Sequence, residues 1–124
     1  GHPDTDSPVD TRPTFEIMVR TDLMMGGECI NLCCGAEVDA LRGDEPIELK
    51  TAPEGKDSGF VRNFSNVMQS EIVGVRTIVV GIKKDNFIVE KVVEKTVNEI
   101  KSTGDLEKPT SQCYAFLFEV LSEM

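Results

Sequence analysis

The chain has no tryptophan and a single tyrosine, Tyr114, so the rows of stacking aromatics on which many single-strand binders lay their bases are missing. Its only histidine is His2, at the start of the chain, and its four cysteines, Cys29, Cys33, Cys34 and Cys113, make no paired C-x-x-C spacing. A structural zinc site therefore lacks both its usual donors. No run approaches the 18 or more apolar residues of a membrane span, and no charged, apolar, then small-residue leader opens the chain, so the expectation is an intracellular protein with no membrane partner. Positive charge is also scarce: 13 Lys and Arg face 22 Asp and Glu, a formal net charge of −9. That argues against a broad basic surface gripping many phosphates, and any nucleic acid must be held locally.

What is present suits one ordinary globular unit: 124 residues, 40% hydrophobic and 28% charged. Adjacent Cys33 and Cys34 inside an apolar run are expected to be small buried hydrophobes in a reducing compartment. Residues 1–14 hold three prolines and three aspartates around a lone Val9, which predicts a flexible or extended lead-in.

From Phe15 the text alternates as a strand does, with Phe15, Ile17, Val19 and Thr21 on one side. After the Met25-Gly26-Gly27 break a second run, Glu28 to Leu41, is expected to fold back as an antiparallel hairpin partner. Pro46 to Thr51 is a third, shorter strand, and Ala52 to Gly59 a loop. Phe60, Phe64, Val67, Met68, Ile72 and Val73 recur at helical spacing, and Gly74 suits the helix end. Arg76 to Ile82 is a β-branched run buried on both faces, turned at Lys83-Lys84-Asp85-Asn86 into a partner from Phe87 to Val93. Val97 to Ile100 predicts one helical turn, and Ser111 to Met124 a terminal helix with Ser111 as its cap. The fold class is α/β or α+β, a mixed β-sheet flanked by helices.

Two strings carry chemistry: Gly35-Ala36-Glu37-Val38-Asp39 and Ile47-Glu48-Leu49-Lys50. Strand residues two apart share a face, so Glu37 is expected beside Asp39 and Glu48 beside Lys50. Charges so crowded are costly against a core, and a solvated strand face with cross-strand ion pairs is the plain alternative. A hard divalent cation gives them another purpose, because it takes carboxylate oxygens and keeps waters for a phosphate. Lys50 could then help deprotonate an attacking water or offset charge on a transferred phosphoryl group. The pattern resembles the PD-(D/E)xK arrangement of the restriction-endonuclease-like superfamily.

A longer resemblance covers Phe15 to Asn98. The blocks Phe15-Glu16-Ile17-Met18-Val19-Arg20-Thr21, GAEVDAL at Gly35 to Leu41, IELKTA at Ile47 to Ala52, Gln69-Ser70, and the stretch Val73 to Asp85 come in the order found in the C-terminal half of the DXO family of decapping and exoribonuclease proteins. That family includes a fungal branch partnering a nuclear 5′-to-3′ exoribonuclease. The resemblance implies that residues 15–124 are the C-terminal part of a DXO-like catalytic domain, completed by an N-terminal half of the same protein. It gives Glu37 and Asp39 the acidic motif, makes Glu48 and the Leu49 backbone carbonyl metal ligands with them, and makes Lys50 the motif lysine. It places Gln69 near the reacting water or substrate, and Arg62 with Lys50 on RNA.

The implied activity is Mg²⁺- or Mn²⁺-dependent hydrolysis at an RNA 5′ end: pyrophosphate release, removal of incomplete or NAD caps, and 5′-to-3′ cleavage in some members. The implied location is nuclear, with cytoplasmic as the alternative. Arg76 stands where the family often has Pro, and the helix segment Arg62 to Met68 lacks the family's tryptophan and most of its basic residues, keeping Arg62. The family's N-terminal half supplies an arginine and a further glutamate that cannot be identified in this sequence. A Cutoff-type branch, thought to protect transcripts, supplies the other reading: a non-catalytic RNA-end protector or exonuclease scaffold.

Overall fold

Gly26 and Gly27 take φ of 58° and 83°, a left-handed pair of the kind that tight two-residue hairpins need. In the computed structural model, which describes residues 16–56, 59–85 and 88–124, they join β1 (Glu16–Met25) to β2 (Glu28–Glu37). The strands pair antiparallel from Glu16 opposite Glu37 to Met25 opposite Glu28, which bears out the expected hairpin. Phe15 and the lead-in 1–14 lie outside the described residues. Ile17, Val19, Thr21 and Leu23 share the inward face with Ile30, Leu32, Cys34 and Ala36. Cys33 corrects the expectation of a buried pair: it is exposed while Cys34 is half-buried, because adjacent strand residues point to opposite faces.

The second strand does not run on to Leu41. β2 ends at Glu37, Asp39 sits in a bend, and β3 (Ala40–Arg42) enters a different sheet. That sheet has four strands in the order β3, β4 (Glu45–Pro53), β5 (Thr77–Lys83), β6 (Val89–Thr96). β4 is antiparallel to β3 and parallel to β5, and β5 is antiparallel to β6, so the sheet is mixed as expected. A parallel pair needs a crossover, and α1 (Phe60–Glu71) lies in it. Arg42 on one edge strand and Glu94 on the other form a bidentate pair at 2.7 and 3.1 Å. That pair spans the two central strands on the face opposite α1.

The core gathers Ala52, Val67, Ile78, Val80, Ile82, Val97, Ile100 and Leu106. α1 buries Asn63, Val67 and Ser70, a stripe rotated from the expected one. Phe64 and Met68 are only half-buried. Phe60 is 58% exposed, its ring stacked on Phe64 at 6.0 Å.

α2 (Val97–Thr103) extends beyond the single expected turn, started by a capping box in which Thr96 and Glu99 each bond the other's backbone N–H. α3 (Glu107–Ser122) begins four residues before Ser111, which is an interior helix residue and not a cap. Pro109 fits that first turn because its missing N–H would have had no helical partner.

Three helices meet at one ammonium. Lys101 of α2 lies 2.9 Å from Glu71 at the end of α1 and 3.6 Å from Glu107 of α3. Burial, the largest influence, pulls the Lys101 pKa down, but the hydrogen bond and charge of Glu71, reinforced by Glu107, outweigh it and hold the ammonium above the ordinary lysine range. Nearby, the Thr21 hydroxyl donates to the Ile72 carbonyl at 2.8 Å, tying the hairpin to the same helix end. Since folding raises this pKa, the stabilisation is complete at neutral pH and fades only as pH climbs through the raised value. Lys101→Met is expected to lose roughly 1–3 kcal/mol near pH 7, and thermal melts should show the gap to wild type closing toward pH 11.

Candidate functional site

In parallel register Glu48 stands level with Ile78, Lys50 with Val80 and Ala52 with Ile82. All six share the sheet face that α1 covers, so β4 carries its charges beside the core and its alanine within it. The spacing of two places Glu48 and Lys50 together as expected, Oε1 to Nζ at 3.1 Å, with the side chains 22% and 27% exposed. Lys50 Nζ also donates to Gln69 Oε1 on α1 at 3.1 Å. The Gln69 amide is oriented in turn by Ser65, one turn back, whose Oγ accepts from Nε2 at 3.2 Å. The amide oxygen is the end that suits an ammonium, which has no acceptor of its own.

Asp39 arrives from the other side. The β3 ladder ends where Ala40 opposes Ile47, which would leave the Leu49 N–H without a strand partner. Asp39 Oδ2 accepts it at 3.0 Å. The N–H and carbonyl of one strand residue point to the same edge, so the Leu49 carbonyl faces Asp39 as well. Burial is the largest cause raising the Glu48 pKa; Lys50 opposes it, the charge of Asp39 adds to it, and the net result lies above the usual carboxylate range. Two carboxylates thus share one corner, Glu48 part-buried and Asp39 exposed.

The structure does not gather Glu37 with them. Glu37 is the exposed last residue of β2, opposite Glu16, and the bend at Asp39 breaks the strand alternation that would have set the two side by side. Among the described residues no group of three or more His, Cys, Asp or Glu side chains is placed to hold a metal ion. By donor chemistry the corner fits part of a hard cation's shell: two carboxylates and a carbonyl, all oxygen, with waters to complete it.

Beside this corner a shallow, open groove of about 530 Å³ lies along α1, lined by Lys50, Val61, Arg62, Ser65, Asn66 and Gln69. Arg62 reaches back to the Thr51 carbonyl at 3.2 Å, which holds its guanidinium over the end of β4. Ser65 and Asn66 were not legible as site residues in advance, although their offsets of four and three from Gln69 place them beside it on the helix.

Residues 2–124 match the family described as RAI1 like PD-(D/E)XK nuclease. The chain belongs to that family. Glu48-Leu49-Lys50 has the (D/E)-X-K form named in that description, and Asp39 is preceded by Val38 and not by proline. The decapping nuclease dom-3 of Caenorhabditis elegans is 31% identical, the match covering 79% of this chain and 28% of that protein. S. pombe Rai1 shares the fold, with a TM-score of 0.57 at 17% identity over 76% of this chain and 37% of that one. A mutant S. pombe Rai1 in complex with 3′-FADP gives a TM-score of 0.64 at 15% identity over 88% of this chain and 40% of that one. The RAI1-like chain therefore spans well under half the length of these relatives, and the resemblance to decapping and exoribonuclease proteins is borne out at the level of family and fold.

Folding raises the Glu48 pKa, so the native state binds that proton more tightly than the unfolded chain does. Ionised Glu48 therefore costs stability at neutral pH, a cost that fades as pH falls through its raised value. Glu48→Gln is expected to melt roughly 2–4 °C above wild type at pH 7. Melts of both proteins from pH 7 to pH 4 should show the advantage shrinking on acidification.

Proposed function

We propose that the protein is a metal-dependent phosphohydrolase acting on RNA 5′ ends, with Asp39, Glu48 and Lys50 at its centre. The observation that carries this reading is the convergence of Asp39 and Glu48 on one corner, with Lys50 bridging Glu48 and Gln69 at 3.1 Å each. The dom-3 relative is described as a decapping nuclease, which supports 5′-end chemistry in a related chain.

Asp39, Glu48 and the Leu49 carbonyl would hold Mg²⁺ or Mn²⁺, and such an ion supplies Lewis-acid polarisation of a phosphoryl oxygen and a water acidified toward neutral pH. Lys50 leads into the groove and offsets charge on the phosphoryl group under attack. Gln69, its amide fixed by Ser65, keeps the lysine aimed and offers its own polar atoms to substrate. Arg62 holds a phosphate further along the chain. Pyrophosphate release, cap removal and stepwise cleavage are then one hydrolysis, distinguished by which phosphorus is held at the corner.

Because the chain spans a minor share of its relatives, the remaining N-terminal half of the protein is part of this proposal, as are a nuclear location and a 5′-to-3′ exoribonuclease partner. The second reading, an RNA-end protector or scaffold without turnover, keeps the same corner and differs in releasing no product.

The full-length protein, incubated with Mg²⁺ or Mn²⁺ and 5′-triphosphorylated or incompletely capped RNA, is expected to release pyrophosphate or the cap. Asp39→Ala and Glu48→Ala should each lower that rate at least about 100-fold while circular dichroism stays unchanged. A folded wild type that releases neither product would leave the protector reading standing; undiminished turnover in both variants would move the site elsewhere.

A further inference from the structure

Asn66 is half-buried in the α1 groove, and its amide makes no hydrogen bond to another described residue. Its neighbours are engaged: Arg62 on the Thr51 carbonyl, Ser65 on Gln69, and Gln69 on Lys50. One helix face thus presents guanidinium, free amide, then the amide and ammonium of the reaction corner. At 1.5 Å per residue the rise is about 6 Å from Arg62 to Asn66 and about 4.5 Å from Asn66 to Gln69.

A nucleotide chain repeats phosphate, sugar, phosphate, and the groove repeats cation, amide, cation. We propose that Asn66 reads the ribose between two phosphates held by Arg62 and Lys50, and that its contact with the 2′-hydroxyl makes the groove prefer RNA to DNA. This rests on the reading of the groove as the substrate path to the corner.

The chemistry selects a sugar over the other two parts of a nucleotide. A phosphate only accepts hydrogen bonds, and Lys50 and Arg62 already supply charged donors for it. A base wants an aromatic or flat guanidinium platform, and no aromatic side chain lines the groove. A 2′-hydroxyl both donates and accepts, and an amide does the same. No carboxylate lines the groove to repel the chain or to compete for the hydroxyl.

Binding of 5′-phosphorylated oligo(U) and oligo(dU) of equal length to the full-length protein, followed by fluorescence anisotropy without divalent metal, tests this independently of turnover. The base and phosphates are the same in both probes, and only the 2′-hydroxyl differs. Wild type should favour oligo(U). Asn66→Ala should weaken oligo(U) about five- to tenfold, the scale of one or two hydrogen bonds, and leave oligo(dU) unchanged. Arg62→Ala should weaken both probes alike.

A single 2′-deoxy substitution, moved along the first few nucleotides of oligo(U), should reproduce the Asn66→Ala loss at one position and add nothing to that variant. Equal loss on both probes, no loss on either, or a wild type indifferent to the sugar would overturn the assignment of Asn66. Binding that ignores Arg62→Ala and Lys50→Ala, or no binding by the folded wild type, would instead remove the groove itself as the substrate path, and the assignment with it.

Discussion

Parallel pairing of Glu48 with Ile78 and of Lys50 with Val80 forces two ionisable side chains onto the sheet face that α1 covers. Any sequence adopting this register must settle those charges beside a core that includes Val80 and Val67. An ion left unpaired there would cost several kcal/mol. The chain settles them on one another and on Gln69, with Asp39 held close by the Leu49 N–H. The settlement is incomplete, because the Glu48 proton affinity stays raised against burial and a second carboxylate. Residual electrostatic stress of this kind clusters at functional sites, where it is commonly kept at some cost to stability.

How much of this could be read in advance follows from which signals are local. The hairpin was legible because Gly26 and Gly27 fix the turn and the apolar residues on either side alternate. The Glu48 and Lys50 pairing was legible for the same reason, since a period of two is a property of one strand. The relation of Glu37 to Asp39 has the same spacing and came out differently. Between them the chain leaves one sheet for another, and nothing in five residues tells which sheet will claim Ala40. Cys33 was misjudged by composition, although alternation alone would have put it outward. The α1 stripe rotated because its depth is set by the sheet beneath, and the start of α3 moved because Leu106 is drawn into the core ahead of any capping side chain. Gln69 came from family resemblance, whereas its support at Ser65 and the free amide of Asn66 beside it emerged only from the folded helix.

The formal charge of −9 looked unfavourable for a nucleic-acid ligand, and the fold shows why a total is a weak guide. Screening at physiological salt confines a surface charge to about 8 Å, so a phosphate in the α1 groove feels the lining Lys50 and Arg62 more than it feels the chain's total charge. The acids that matter are the two at the corner, and a divalent cation would turn their repulsion into attraction.

α1 is therefore committed on two sides at once, with Val67 in the core and Arg62, Asn66 and Gln69 on the groove. A helix so placed could slide or rotate by a fraction of a turn and still bury one valine, but the 3.1 Å bond from Lys50 to Gln69 would not survive it. What prevents the slide lies at the end of the helix. Glu71 is held by Lys101, and the Ile72 carbonyl by Thr21 of the hairpin. Those two anchors come from elements that contribute nothing to the corner itself, and they sit two and three residues beyond Gln69. The hairpin and α2 thus act on the site through the register of one helix, and loosening the Lys101 node should blur the aim of Lys50 before it unfolds the chain.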